Sequence, residues 1–144
     1  MEKEIDYTTM PRNYEVCWNR ACPMAATCLR QMAAEHLSEE KRYVKSVNLR
    51  ATHPETGECR DYRQARYVKH AYGLRHIYDQ VPSATKDLLY HDIWGKLGNT
   101  MYYHYYNERK PITPREQAII EGAFRKYGIE GPVAYRRFVE VPDW

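Results

Sequence analysis

Four cysteines are the side chains whose type and spacing point most directly to chemistry: Cys17, Cys22, Cys28 and Cys59, in the pattern C-x4-C-x5-C-x30-C. Four thiolates form the complete ligand set of a tetrahedral structural zinc site, and they also hold iron–sulfur clusters. The spacing matches neither the C-x2-C pairs of zinc ribbons nor the cysteine runs of ferredoxins. We therefore expect one zinc ion on these four residues, with an iron–sulfur cluster as the alternative and free, reduced thiols as the simplest explanation.

The distance along the chain from Cys22 to Cys28 sets a condition on the backbone between them. If a helix ran through residues 23–28, Cys28 would be rotated away from Cys22. The two share a metal only if residues 23–26 form a loop and the helix starts close to residue 27. A zinc site also requires the four sulfurs to lie within about 4 Å of one another. His36 and His53 are spare ligands, should one cysteine not take part.

The cysteine run carries a resemblance to a known family. Residues 14–30 (YEVCWNRACPMAATCLR) resemble the opening of a family of short, uncharacterised proteins from gut anaerobes of the Bacteroides group. The resemblance implies a single-domain protein of similar length and transfers no activity and no catalytic residue. It continues in the later residues Thr100-Met101-Tyr102-Tyr103, Ile112 to Gln117, Phe124, Gly128-Ile129 and Asp143-Trp144.

A basic segment is the second feature of interest. Residues 41–76 contain nine Lys/Arg and three Asp/Glu, whereas the whole chain has a net charge of +3. A local excess of this kind attracts phosphate backbones or an acidic protein face, although a solvated surface is the simpler explanation.

Within this segment, residues 62–72 place apolar side chains at helical spacing, which predicts a helix with Arg63, Arg66 and Lys69 on its solvent face. Cations contact phosphates, and tyrosine rings stack on unpaired bases. We therefore expect a non-enzymatic module that binds RNA or DNA. The predicted nucleic-acid-binding residues are Arg60, Arg63, Arg66, Tyr67, Lys69 and Arg75.

Other classes of function remain open at this point. Tyr and Arg dominate protein–protein interfaces, so a protein adaptor that docks on an acidic protein surface would use the same residues. An iron–sulfur redox protein is a further alternative. His91 and Asp92 are sequence neighbours that point apart on a helix, and the chain contains none of the common catalytic or phosphate-binding motifs. No catalytic residue is therefore predicted.

The elements that position these residues are mostly helical. Apolar spacing and caps predict helices over residues 83–97, 100–106 and 114–127. The last of these opens with the capping-box sequence Thr113-Pro114-Arg115-Glu116 and ends before Gly128. A further helix over residues 29–37 and a short strand over residues 43–49 are expected in the front half. Residues 133–139 fit either a short helix or a terminal strand.

Composition bounds the class of protein. The chain has 144 residues, of which 43% are hydrophobic and 28% charged, as in a globular domain. We predict an α+β fold, mostly helical, with a small β element and one compact domain over 1–144, divided into a cysteine-bearing half (1–80) and a helical half (83–144). No stretch reaches the roughly eighteen apolar residues of a membrane span, and the N-terminus lacks the apolar region of a signal peptide. The expected location is the cytoplasm, where thiols stay reduced.

Overall fold

The computed structural model of the protein describes residues 3–52, 56 and 58–144. The helices of these ranges are α1 (Leu29–Glu35), α2 (Ser83–Leu97), α3 (Asn99–Tyr106) and α4 (Pro114–Lys126), and short 3-10 helices span Tyr7–Thr9, Ala25–Thr27, Leu49–Ala51 and Leu74–Tyr78. Strands β1 (Tyr67–Tyr72) and β2 (Arg137–Pro142) pair as a two-stranded antiparallel sheet. The α+β class with a small β element is confirmed. Of the helices described, none has both the length and the apolar character that a membrane crossing requires.

The chain divides into two compact units. The cysteine unit consists of Met1–Val68 together with Val141–Trp144, and the helical unit consists of Lys69–Glu140. Each unit has its own cluster of buried apolar side chains. The two are therefore described separately.

The cysteine unit has a small apolar core. Val16, Ala33 and Ala34 are its buried members, and the Trp144 ring packs beside them, edge-on to Tyr14 with ring centres 5.1 Å apart. Trp144 thus contributes to the core of the cysteine unit. Leu29 is also fully buried in this unit, and Met10, Tyr14 and Leu37 pack against the cluster. This core is still smaller than that of the helical unit, so it supplies less of the free energy of folding.

The strand expected over residues 43–49 is wrong. Within the described residues this segment forms one isolated parallel bridge, between Ser46 and Val16. The amide of Val16 donates to the carbonyl of Lys45 at 3.0 Å, and the amide of Val47 donates to the carbonyl of Val16 at 2.9 Å. Residues 43–46 are exposed, so their β-prone side chains have no face to pack against, and the pairing does not extend.

The helical unit is built from α2, α3 and α4, whose apolar faces share one core. That core also takes in the 3-10 helix Leu74–Tyr78. Tyr102 and Tyr105 of α3 are buried, whereas Tyr103 stays 45% exposed. The largest fully buried side chains of this core are Leu74, Ile77, Leu89, Ile93, Tyr102, Ile112 and Ile120, and Tyr78, Tyr105 and Phe124 are buried with only a few per cent of their surface exposed.

Both ends of α4 are as the sequence predicts. Glu116 accepts from the Thr113 amide at 3.1 Å and completes the capping box. At the other end Gly128 has φ 69°, and the amide of Ile129 donates to the carbonyl of Phe124 at 3.0 Å. This is the hydrogen-bond pattern of a Schellman ending, which requires a residue that tolerates the left-handed conformation. The helix expected over 114–127 is confirmed to within one residue.

The helix expected over residues 62–72 is wrong, because residues 67–72 form strand β1. Ala71 exchanges both backbone hydrogen bonds with Ile112, at 2.9 and 2.8 Å, and the carbonyl of Tyr72 accepts from the amide of Arg136 at 2.9 Å. Backbone groups used in these cross-strand bonds cannot also make i to i−4 bonds. The apolar spacing favoured a helix, and pairing with distant segments overrode it. Residues 137–139 of the ambiguous segment are strand, within β2.

Candidate functional site

The four cysteines line one small cavity in the cysteine unit. Cys17, Cys22, Cys28 and Cys59 all border a space of about 20 Å³, although Cys59 is 31 positions after Cys28 in the chain. A cavity needs about 10–15 Å³ to accommodate one water-sized sphere. The structure therefore gathers all four predicted ligands around a space that suits a single small ion or one water molecule.

The thiols do not form a finished tetrahedral cluster. All four cysteines are free, with Cys28 buried and the other three half-buried. Across the part of the chain that the structure describes, no group of three or more His, Cys, Asp or Glu side chains is placed to hold a metal ion. The expectation of four sulfurs already converged at ligand distance is therefore wrong for these residues. Metal binding itself stays a prediction.

Backbone pairing fixes Cys17 and Cys28. The amide of Cys17 donates to the carbonyl of Arg30 at 3.1 Å. Cys28 is the N-cap residue of α1 and forms an antiparallel bridge with Gln64. No α-helix runs from Cys22 to Cys28, because α1 begins only at Leu29. Residues 25–27 nevertheless form a 3-10 helix where a loop was expected, so the condition for a shared site is met only in part.

The other two cysteines lie in turns. The amide of Cys22 donates to the carbonyl of Asn19, and the amide of Tyr62 donates to the carbonyl of Cys59, both at 3.1 Å. The Cys59 turn is attached to α1 by the Arg30 guanidinium, whose Nε donates to the backbone oxygen of Asp61 at 2.8 Å. Hydrogen bonds thus tie each thiol-bearing segment to the next around the cavity.

Gln31 lies on the cavity wall, although it was not among the predicted site residues. It is a buried polar side chain, 5% exposed. Its Nε2 donates to the carbonyl of Asn19 and lies 3.6 Å from Sγ of Cys17. Gln31 follows the N-cap residue Cys28 by three residues and lies in the first turn of α1. That spacing was the available signal for a polar neighbour of the thiols.

His36, one of the two spare histidine ligands, does not line the cavity. The His36 ring stacks on Tyr7, with centres 3.6 Å apart and planes 7° from parallel, and its Nδ1 lies 2.8 Å from the carbonyl oxygen of Met32. His53 lies outside the described residues.

Two of the predicted nucleic-acid-binding cations hold the end of the chain. Arg63 Nη2 lies 3.0 Å from Oδ1 of Asp143, and Arg66 Nε lies 3.0 Å from Oδ2 of the same carboxylate. The charge of Asp143, which is mostly buried, is thereby shared between two guanidinium groups. Arg63 and Arg66 therefore have a structural role in the cysteine unit.

Tyr67 is also engaged within the cysteine unit. Its hydroxyl donates to the carbonyl of Glu4 at 2.7 Å and accepts from the amide of Asp6 at 3.0 Å. Lys3 Nζ lies 4.2 Å from the centre of its ring. One face of the ring already has a cation on it, which leaves less of the ring for stacking on a base.

The remaining predicted cations are exposed. Arg60 belongs to the cysteine unit, whereas Lys69 and Arg75 belong to the helical unit. The Arg75 guanidinium lies 4.8 Å from the centre of the Tyr106 ring. Because residues 67–72 are a strand, the helical face on which Arg63, Arg66 and Lys69 were expected to lie together does not exist. Binding of nucleic acid by these residues remains a prediction.

Comparison with known proteins identifies a family for this chain and no individual relative. Searches of curated proteins and of solved structures found no match to it. The model of a family of unknown function, DUF6078, matches residues 1–144. This chain belongs to the family of unknown function DUF6078.

Proposed function

We propose that the cysteine unit binds one Zn²⁺ ion through Cys17, Cys22, Cys28 and Cys59, and that the ion stabilises this unit. One observation carries the proposal: four thiols from separate segments border a cavity of about 20 Å³. Four cysteine ligands are a common donor set for structural zinc. Each sulfur position depends on the single torsion χ1, so binding requires the thiols to rotate towards the cavity and lose their protons.

The size of the cavity favours a single ion over a cluster. A [4Fe–4S] cluster brings eight inorganic atoms to its four cysteines, whereas zinc brings one. The Gln31 amide adds support, because a zinc ion with four thiolates is net negative and an N–H donor 3.6 Å from Cys17 Sγ offsets part of that charge. The iron–sulfur cluster is the alternative that the experiment must separate from zinc.

The apolar core of the cysteine unit is small, and a bound zinc ion would stabilise it. Its cluster of buried apolar side chains has Val16, Ala33 and Ala34 as members, while the helical unit buries a much larger set. Small cores are commonly reinforced by a metal or by disulfides, and all four cysteines are free. Zinc binding would therefore contribute directly to the folding free energy of this unit.

Elemental analysis of anaerobically purified protein tests the proposal. We expect one zinc per chain, with the four thiols protected from a thiol reagent until a chelator is added. Cys28→Ser should lower zinc occupancy, whereas His36→Ala, a change of a possible ligand in the same unit, should leave it unchanged. After the chelator removes zinc, hydrogen exchange of the backbone amides should become faster in α1, which belongs to the cysteine unit. It should stay slow in α4, which belongs to the helical unit. The proposal would be contradicted if the purified protein contained neither zinc nor iron and all four thiols reacted freely. If the protein were brown and contained iron, the iron–sulfur cluster would be the ligand and not zinc.

Binding of RNA or DNA is a second candidate function of a non-enzymatic protein. It is supported by the exposed cations Arg60, Lys69 and Arg75, and it would be sequence-independent, because phosphate contacts position a partner without reading bases. An acidic protein surface would suit the same cations, which makes an adaptor the competing outcome. Salt dependence separates the two, since release of counterions from nucleic acid gives a steep slope.

The remaining expectations concern where the protein acts. The cytoplasm is the compartment we propose, because a thiol site needs reduced cysteines. Origin in gut anaerobes of the Bacteroides group, which the sequence resemblance implied, stays a prediction.

A further inference from the structure

A second cavity lies entirely within the helical unit, at the C-terminal end of α4. It has a volume of about 570 Å³, within the range of about 300–1,000 Å³ that is typical of small-molecule sites. The last turns of α4 form one side, residues 128–133 form another, and Tyr135 and Phe138 close it. Nothing in the zinc proposal uses these residues.

Three aromatic rings line this cavity. Phe124 is buried in its floor, and the rings of Tyr135 and Phe138 meet edge to face, with centres 5.6 Å apart and planes at 80°. Phe138 remains 52% exposed, a large apolar side chain at the cavity wall. Ring faces carry partial negative charge, so rings set at a steep angle present favourable surfaces to a cation.

The electrostatics of the cavity also favour a cation. α4 ends at Lys126, and the C-terminal end of a helix carries partial negative charge. Glu121 and Glu130 line the cavity against one arginine, Arg125. Burial raises the pKa of the Tyr135 hydroxyl, and the nearby Glu121 carboxylate raises it further.

Neighbouring cations are engaged elsewhere in the helical unit. Lys126 Nζ lies 3.6 Å from an Asp92 carboxylate oxygen, and Arg136 Nη1 lies 2.8 Å from Glu108 Oε2. The Arg137 guanidinium lies 3.9 Å from the centre of the Tyr72 ring. Each of these three cations thus has a partner outside the cavity lining.

We propose that this cavity binds an organic ammonium ion, with the cation against the rings of Tyr135 and Phe138 and with Glu121 and Glu130 as its counter-charges. An ammonium with alkyl substituents suits the site because it is weakly hydrated. Its attraction to the ring faces therefore compensates for the hydration energy that it loses on binding. Such a group occurs on free amines and on methylated lysine side chains of proteins, and the two sources share this chemistry.

Choline and its neutral isostere, in which carbon replaces the ammonium nitrogen, test the proposal on the full-length protein. Nuclear magnetic resonance titration of each probe should show saturable shifts at the amides of residues 121–138 with choline. The isostere should bind at least about tenfold more weakly, because it has the same shape but no charge. Equal binding of the two probes would overturn the proposal, since the cavity would then be merely apolar.

Single-residue variants test whether choline binds in this cavity. Phe138→Leu keeps the apolar bulk and removes the ring, and Glu121→Gln removes one charge, so each should weaken choline binding at least about fivefold. Tyr103→Leu removes an exposed ring from α3 and serves as the matched control, with no expected change. Choline affinity that is unchanged in both cavity variants would contradict the assignment.

Peptides identify the source of the cation. A peptide with a trimethyllysine that binds more tightly than both choline and its unmodified counterpart would support a protein side chain as the ligand. Choline that binds at least as tightly as that peptide would support a free amine. Zinc content is an independent measurement on the other unit, so failure of either proposal leaves the other standing.

Discussion

Arg63 binds Asp143 through both the backbone and the side chain of that residue. Its Nε donates to the Asp143 carbonyl at 2.7 Å and its Nη2 to Oδ1 at 3.0 Å, while Nη2 also lies 2.9 Å from the carbonyl oxygen of Trp144. Exposed ion pairs contribute little to stability, but these hydrogen bonds converge on a carboxylate that is only 17% exposed. This arginine therefore fastens residues 143–144 within the cysteine unit.

Arg63→Ala is expected to lower the free energy of unfolding by about 1–3 kcal/mol, because it leaves charged and backbone acceptors without their donor. Lys69→Ala is the matched control, since Lys69 is exposed, and it should change stability by no more than about 0.5 kcal/mol. Urea unfolding followed by tryptophan fluorescence measures both. Equal midpoints for the two variants would show that the Arg63 contacts are not stabilising.

Two glycines should respond to alanine in opposite directions. Gly73 has φ 98°, and a Cβ there would lie 2.9 Å from the backbone nitrogen of Arg136. Gly73→Ala should therefore cost at least about 1–3 kcal/mol. Gly95 is inside α2 with open space around a Cβ, so Gly95→Ala should stabilise the protein by about 0.5–1 kcal/mol. Thermal unfolding of the two variants checks the prediction, and a stabilising Gly73→Ala would contradict the backbone geometry described here.

Tyr78 makes the helical unit sensitive to alkaline pH. Burial raises the pKa of its hydroxyl to about 12, and the hydroxyl lies 2.9 Å from that of Tyr102. The folded state therefore holds the proton more tightly than the unfolded chain, where the pKa is near 10. Stability from this group is complete below pH 10 and is lost as pH rises through about 12. Urea unfolding at pH 9 and at higher pH should show this decline, and Tyr78→Phe should flatten it; an unchanged slope in the variant would assign the decline to other groups.

Nucleic-acid binding is tested by charge reversal at Arg60, Lys69 and Arg75. Arg63 and Arg66 are left intact because their loss would disturb the fold. The triple change to Glu should abolish binding to single-stranded RNA and DNA, and the parent's affinity should fall steeply between low and physiological salt. The same reversal at exposed Lys86, Arg109 and Lys110 is the matched control, with an identical change in net charge. Fluorescence anisotropy provides the readout, and equal loss in both triple variants would indicate a net-charge effect and no defined surface.

Local sequence determined the helical unit to a large extent. The limits of α4 follow from Thr113, Glu116 and Gly128, because capping and left-handed endings depend on residues within a few positions of one another. α2 also ends at a glycine with positive φ, Gly98. The sequence also identified the four thiols as one motif, since their residue type and count alone match a ligand set.

Tertiary structure decided what those local signals could not. Residues 67–72 have helical apolar spacing, but cross-strand hydrogen bonds to Ile112 and Arg136 hold them in the β conformation. Likewise, no spacing rule links Gln31 to Asn19 and Cys17, or Arg63 to a carboxylate eighty positions away. Such contacts depend on how loops close in three dimensions, so the sequence by itself determined which residues were available for chemistry, and only the folded chain decided which of them meet.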